Sequence, residues 1–219
     1  MAENTATLSL IILFPLLGFL FNGIFGAIPW KKFPRVPGTL SGIIATLCVF
    51  ASFVISAKLY FQVTSSETIG AIEHLAFPWI TLQEFNIPMM FRLDALSGLL
   101  CLVVTGVGSL IHLYSIGYMH DDANPARYFT YLNLFTASML ILILGASLPI
   151  LFIGWEGVGL CSYLLIGFWF DDLEKAKAGK KAFVANRVGD LGFLLGMFLI
   201  WCSAIWEAVL ENPVKKSIR

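Results

Sequence analysis

The sequence predicts an all-α protein, a polytopic membrane helix bundle of about six transmembrane helices with a short outer-face hairpin loop. Three observations predict it. Hydrophobic residues make up 58% of the 219-residue chain and charged residues only 13%, against about 25% charged in soluble domains. Fourteen acids and fourteen bases are too few to coat a soluble core of this size, and the mean hydropathy is +0.83. Finally, six separate stretches are apolar over the length, about 20 residues, that a spanning helix needs.

In chain order the spans are Leu8–Ile28, Val36–Val63, Leu93–Met119, Tyr128–Gly145, Leu148–Phe170 and Ala182–Trp206. The first is too long for a signal h-region, and no Lys or Arg precedes it, so it reads as a permanent span rather than a cleaved leader. Pro15 lies in its first turns, where a bundle tolerates a kink. Asp94 caps the third span with its charge at the positive end of the helix dipole. Pro149 opens the fifth span, where a missing N–H costs least.

Between spans two and three, Trp79–Leu82 and Phe85–Ile87 alternate enough for a hairpin, bounded by Pro78 and Pro88. The chain thus divides into two spans (1–63), an external loop (64–92), four spans (93–206) and a basic tail (207–219).

Loop charges orient these elements. Lys31, Lys32, Arg35, Arg127, Lys175, Lys177, Lys180 and Lys181 fall on one side. The opposite side holds Glu67, Glu73 and Glu84 against Arg92. Basic loops stay inside, which places both termini outside. The tail residues Lys215, Lys216 and Arg219 run against that rule.

Several function classes drop out. Net charge is zero and no basic stripe interleaves with aromatics, which argues against nucleic acid as a partner. The lipid bilayer is the partner that composition implies. Cys48, Cys101, Cys161 and Cys202 sit far apart in apolar runs, without metal-ligand spacing, and read as buried free thiols. No phosphate loop, GxSxG or HExxH occurs, and Gly106 and Gly108 lie inside a span rather than after a strand. Gly154, Gly157 and Gly159 suit close helix contact. No cofactor-binding or metal site is expected.

The informative residues are ionisable groups inside spans, each costing about 2.5–3.5 kcal/mol at bilayer centre. Glu156 lies deep in the fifth span, beside Trp155 and Gly157, too far from either end to snorkel. It reads either as a neutral or locally paired structural residue, or as a proton or ion site. In the second reading low dielectric favours the neutral carboxyl and a nearby cation favours the charged one. Arg187 and Asp190, three apart, share a face of the sixth span. They form either a neutral pair that eases insertion or a switching pair. His112 in the third span is a weaker candidate: a proton relay, or a hydrogen-bonded core histidine. Lys58 and Arg92 snorkel from span ends. Lys180 and Lys181 are inside-facing anchors or the start of a polar axis toward Asp190.

Longer runs then become recognisable. Gly154-Trp155-Glu156-Gly157-Val158-Gly159-Leu160-Cys161-Ser162-Tyr163 and its continuation to Phe168 resemble the fifth-helix signature of subunit L of respiratory complex I, the proton-pumping NADH:quinone oxidoreductase. Ala182-Phe183 with Asn186-Arg187-Val188-Gly189-Asp190 resembles the sixth helix of that family. Leu93-Asp94-Ala95-Leu96-Ser97 through Ile111-His112 resembles its third, and Asn133-Leu134-Phe135 with Ala137-Ser138-Met139 its fourth. The likeness runs from about Phe85 to about Phe198. Mrp-type sodium/proton antiporter subunits are similar, but Gly157-Val158-Gly159 before Cys161 favours the respiratory family.

The resemblance implies an antiporter-like membrane-arm subunit without a redox cofactor, which moves protons through Glu156, Arg187 and Asp190. It implies other membrane-arm subunits as partners and a bacterial inner (plasma) membrane as the setting. Family members carry two inverted five-helix repeats, and their fifth-helix glutamate pairs with a lysine on the next, broken helix. Only the start of the first repeat is matched here, so that lysine is expected from a second chain. Two alternatives remain: a non-transporting scaffold of the membrane arm, and a cation/proton antiporter subunit of Mrp type.

Overall fold

A computed structural model of the chain describes residues 2–27, 36–65, 70–82 and 85–216. Six helices and one two-stranded ribbon make up these residues: α1 (Ala2–Phe21), α2 (Gly38–Ser65), β1 (Ala71–Leu82), β2 (Phe85–Asp94), α3 (Ala95–Tyr118), α4 (Pro125–Leu144), α5 (Leu148–Ile166) and α6 (Leu173–Lys216). All six helices contain a stretch long and apolar enough to cross a membrane. A helix satisfies its own backbone groups, which is what a chain with so few polar side chains must do in lipid. Among the charges that set the expected orientation, Lys31, Lys32, Arg35, Glu67, Glu84 and Arg219 lie outside the described residues.

Packing centres on α4, half of whose apolar window is buried, against 6% for α6. α1, α2 and α3 pack on one side of α4, and α5 on the other with α6 beyond it. Small and polar residues let α4 sit there. Asn133 is fully buried with its Oδ1 against the backbone of Gly18, where a Cβ would come within 2.8 Å of that oxygen. α1 passes into a π-helical turn, Asn22–Ala27. Buried Asn22 accepts a hydrogen bond there from Ser41 Oγ at 2.6 Å and donates to the Ser41 carbonyl at 3.3 Å.

The loop between α2 and α3 forms a longer ribbon than the alternation suggested. β1 and β2 are antiparallel from Ala71↔Asp94 to Leu82↔Phe85. Pro78 and Pro88 do not bound it; they face each other inside it. Two register shifts, at Leu75/Phe77 and Pro78/Ile80, absorb the missing donors, since bulges leave backbone groups out of the ladder. Glu73 and Arg92 pair across the strands at 3.6 Å, so Arg92 belongs to the ribbon rather than to a helix end. Lys58 stands exposed on α2. The base of the ribbon packs into the main apolar cluster, where Ile72, Phe91 and Leu93 meet Leu8, Leu59, Leu140 and Ile150. The Ala146 N–H donates to the Met90 carbonyl at 3.0 Å and fastens β2 to the α4–α5 turn.

Helix starts explain most departures from the expected spans. α4 begins at Pro125, not Tyr128, because proline suits the first turn of a helix. α6 begins at Leu173, not Ala182, and the lysine run expected as a loop is helical. Asp172 stands before that first turn and accepts the Glu174 N–H at 3.0 Å. That backbone donor, and then Lys175, hold its carboxyl below the usual carboxylate range. Lys175 pairs with Asp172 at 3.5 Å and Lys177 with Glu174 at 2.9 Å, both at helical i,i+3 spacing. At 1.5 Å per residue α6 is roughly 66 Å long, about twice the hydrocarbon thickness of a bilayer. Cys202, on this outlying helix, is exposed, whereas Cys101 and Cys161 are buried.

Asp94 caps α3 with a reciprocal box: Ser97 N–H donates to its Oδ1 at 2.8 Å, and Asp94 N–H donates to Ser97 Oγ at 2.8 Å. The Ser97 N–H, foremost, holds the Asp94 carboxyl below its ordinary value. A carboxyl lowered on folding adds stability above its unfolded pKa and loses it as pH falls through the folded one. Asp94→Ala is therefore expected to cost about 1 kcal/mol at neutral pH, and Asp94→Asn much less. Thermal unfolding in detergent as a function of pH checks this, and the Asp94→Ala deficit should shrink in acid.

Candidate functional site

Two helices bring the buried charges together. α5 has a glycine edge toward α4. A Cβ on Gly154 would run into the backbone of Leu142, and one on Gly157 would come within 2.6 Å of Ser138 Oγ. Glycine at these positions lets the α4 and α5 backbones approach closely, as small residues do in membrane bundles. With that edge seated on α4, Glu156 is left facing α6. Arg187 and Asp190, three apart on α6, face back.

Arg187 serves both carboxylates. Its Nη1 forms an ion pair with Glu156 Oε2 and lies 3.4 Å from Asp190 Oδ2. The other Asp190 oxygen, Oδ1, accepts the Trp155 indole N–H at 2.7 Å. Side-chain exposure is graded across the cluster: 8% for Asp190, 26% for Glu156 and 39% for Arg187. The guanidinium also lies over the Phe183 ring, 4.4 Å from its centroid, and Phe183 packs on Tyr163. Cation–π contact of this kind holds an arginine at modest energy, about 0.5–2 kcal/mol.

Charge counting defines what this arrangement can do. One guanidinium between two carboxylates leaves one negative charge uncompensated. In a low-dielectric setting that charge calls for a proton or a second cation. The cluster thus sets two carboxylates, Glu156 and Asp190, against the one guanidinium of Arg187. Among the described residues no group of three or more His, Cys, Asp or Glu forms a metal-binding cluster.

The remaining sequence candidates lie elsewhere. His112 is buried on α3, which packs on α2 and α4, and it is not joined to the α5–α6 cluster. Its Nδ1 lies 2.7 Å from the Gly108 carbonyl, and a carbonyl only accepts, so Nδ1 carries the proton in that bond. Its Nε2 finds no partner among the described residues. Thr105 and Ser109, on the same stripe, bond back to carbonyls of their own helix at 2.6 Å. Lys180 and Lys181 are exposed. Lys180 lines a groove of about 610 Å³ together with Leu160, Tyr163 and Phe183, which extends toward the ring beneath Arg187. The residue that sequence reasoning passed over is Trp155, noted only as a neighbour of Glu156. The available signal was that an indole N–H in an apolar span needs an acceptor.

Comparison with known proteins supplies the family setting. Residues 79–129 match the family described as NADH-ubiquinone oxidoreductase (complex I), chain 5 N-terminus. Residues 145–210 match NADH:quinone oxidoreductase/Mrp antiporter, TM. A chain 5 of NADH-ubiquinone oxidoreductase from Allomyces macrogynus is 41% identical over 191 residues, 87% of this chain and 29% of the relative. A subunit L of NADH-quinone oxidoreductase from Mycobacterium tuberculosis is 47% identical over 163 residues, 74% and 25% of the two chains. The corresponding subunit of Rickettsia bellii is 39% identical over 204 residues, 91% and 30%. The chain therefore spans less than a third of the length of these curated relatives. In fold it resembles a chain of an archaeal membrane-bound sulfane sulfur reductase, with a TM-score of 0.67 at 20% identity over 89% of this chain and 37% of the other. It also resembles a chain of the Mrp complex from Dietzia sp., with 0.66 at 19% over 88% and 19%.

The glycine edge yields a test of how Glu156 is positioned. Gly154→Ala drives a Cβ into the Leu142 backbone and is expected to cost about 1–3 kcal/mol. Gly192→Ala, on the open side of α6, meets nothing within 4 Å and should stay within about 0.5 kcal/mol of the parent. Unfolding in mixed micelles measures both.

Proposed function

The chain belongs to the complex I chain 5/subunit L family of antiporter-like membrane proteins, matching the N-terminal portion of its relatives, and on that premise we propose that it is a proton-translocating subunit, or the N-terminal part of a split one, of an NADH:quinone oxidoreductase membrane arm. The observation that carries this reading is the single guanidinium of Arg187 shared between Glu156 and Asp190. Protons pass through this cluster, and the chain does no redox chemistry of its own. Partner subunits of the arm supply the energy by changing the electrostatics that Arg187 senses. A lysine outside these helices supplies the second cation that two carboxylates around one guanidinium call for. The setting is a bacterial inner membrane with both termini outside, an orientation that rests on the loop charges.

The steps follow from charge balance. With Arg187 on Glu156, the Asp190 carboxylate keeps only a weak share of the guanidinium. A proton arriving at Glu156 removes the negative charge that holds Arg187, and the guanidinium can then move fully onto Asp190, only three residues away on its own helix. Losing the proton reverses the movement. Each cycle changes one ion pair for another: the negative charge in excess while Glu156 is ionised is neutralised when the proton arrives, and bare charge is what low dielectric penalises most.

Glu156→Gln keeps the shape and removes the titrating group. The complex containing this variant is expected to assemble, to transfer electrons, and to lose coupled proton pumping in vesicles. Proton stoichiometry equal to the parent's would sink the proposal and leave a scaffolding role. Transport that depends on sodium would assign the cluster to a cation/proton antiporter instead.

A further inference from the structure

Proton transfer through a shared arginine needs one anion that stays in place while the cation moves. We infer that Trp155 is a positioning residue that fixes Asp190 as that anion. The inference rests on the proton-path reading of the cluster for its functional consequence, and on geometry alone for the contact itself.

The two oxygens of Asp190 are divided. Oδ2 is the one nearer Arg187, at 3.4 Å, while Oδ1 takes the Trp155 indole N–H at 2.7 Å. The indole bond is the shorter of the two, and hydrogen bonds to a charged acceptor are the stronger kind. The ring that donates it is itself held. Trp155 stacks on Phe193 with centroids 6.0 Å apart and planes 17° apart, and Phe193 stacks on Phe152 at 5.4 Å and 14°. Phe152 and Trp155 lie on α5, whereas Phe193 and Asp190 lie on α6. The three rings thus bridge the two helices beside the carboxylate.

Residue type matters here. An indole N–H donates and never accepts, and it carries no charge at any physiological pH. Its hold on Asp190 therefore does not vary with the protonation of Glu156, the next residue along the same helix. A histidine or lysine in the place of Trp155 would compete with Arg187 as a cation. Tryptophan restrains the carboxylate without altering the charge balance, so a movement of Arg187 remains the only charge rearrangement between the two carboxylates. The successive placement of Trp155 and Glu156 completes the device. About 100° of helical rotation separates neighbours, so one faces Asp190 while the other faces Arg187.

The test uses the chain in lipid bilayers and in its complex. Trp155→Phe removes the N–H and keeps a ring for the stack. The ultraviolet resonance Raman difference between parent and Trp155→Phe isolates the indole of Trp155. Its band is expected at the position of a strongly hydrogen-bonded N–H, and should move to the unbonded position in Asp190→Leu, which addresses the same contact from the other partner. A Trp155 band that Asp190→Leu leaves unmoved overturns the inference. In the complex, Trp155→Phe should slow pumping by roughly tenfold, the equivalent of one charged hydrogen bond. The double variant with Asp190→Leu should pump no more slowly than Asp190→Leu alone. Losses that multiply would mean that Trp155 acts apart from Asp190, and would overturn it as well. A Raman shift as expected in a protein whose Glu156→Gln complex pumps normally fails the proton-path reading alone.

Discussion

One guanidinium shared by two carboxylates is the constraint to which the α5–α6 half of the molecule answers. Arg187, Glu156 and Asp190 carry one positive and two negative groups on helices otherwise built for lipid. Each alone would cost several kcal/mol to bury, and separation of any one from the others would leave a bare charge. They are tolerable only as a cluster, so α5 and α6 must lie against each other in one rotational setting. The glycine edge of α5 supplies that setting. Gly154 and Gly157 lock α5 onto α4, and the helix has no freedom left to turn Glu156 elsewhere.

The rest of the fold is a platform for that lock. α4 is the most buried helix, and its polar residues are turned inward: Asn133 toward α1, Ser138 toward α5. The ribbon between α2 and α3 closes one end, because β2 runs without a break into the Asp94 cap of α3 and is also tied to the α4–α5 turn. The start of α5 is thereby fixed from two directions, by the ribbon at its end and by α4 along its length. At the end of α5 that leads into α6, the loop side chains interlock. Arg127 donates to the Phe168 carbonyl at 3.2 Å and lies over the Phe168 and Phe170 rings, and the Trp169 indole donates to Asp122 at 2.8 Å.

Much of this was legible in the sequence, for a physical reason. Spans are legible because lipid removes the option of a polar coat, and the charges inside them are legible because they are few. Glu156, Arg187 and Asp190 were singled out on cost alone, and the structure places all three in contact. The Asp94 cap was legible because a carboxylate before an apolar run has one obvious donor set. What was not legible depended on pairs. The start of α6 hinged on Asp172 accepting a backbone N–H and on Lys–acid pairs at helical spacing, in a run that by composition reads as loop. Pro78 and Pro88 mark strand ends by the usual rule, yet here they oppose each other between two bulges. Trp155 and Asp190 lie 35 residues apart in sequence, and their bond exists only once both helices have been rotated into place. His112 stood out for the same reason as Glu156, but it bonds to its own helix, apart from the cluster.

The burial gradient within the cluster ranks how closely each member is enclosed. Asp190 is nearly enclosed and has a neutral donor on one oxygen. Glu156 sits on α5, whose glycine edge is clamped to α4. Arg187 is the most exposed of the three, its long stem is the most flexible, and its guanidinium lies over the face of Phe183. A π face accepts a cation over a broad area and does not fix its heading, unlike a hydrogen bond. Phe183 therefore restrains the guanidinium without fixing its heading. Two firmly held anions around one less enclosed cation are what the proposed exchange of Arg187 between Glu156 and Asp190 requires, with its bias set by charge on the open side of α6. On that side Lys180 and Phe183 line the groove that extends toward Arg187. A second cation entering there would displace the guanidinium from Glu156 by like-charge repulsion and drive it toward Asp190. The geometry of this chain thus leaves Arg187, rather than either carboxylate, the least enclosed member of the cluster and the one the proposed exchange would move.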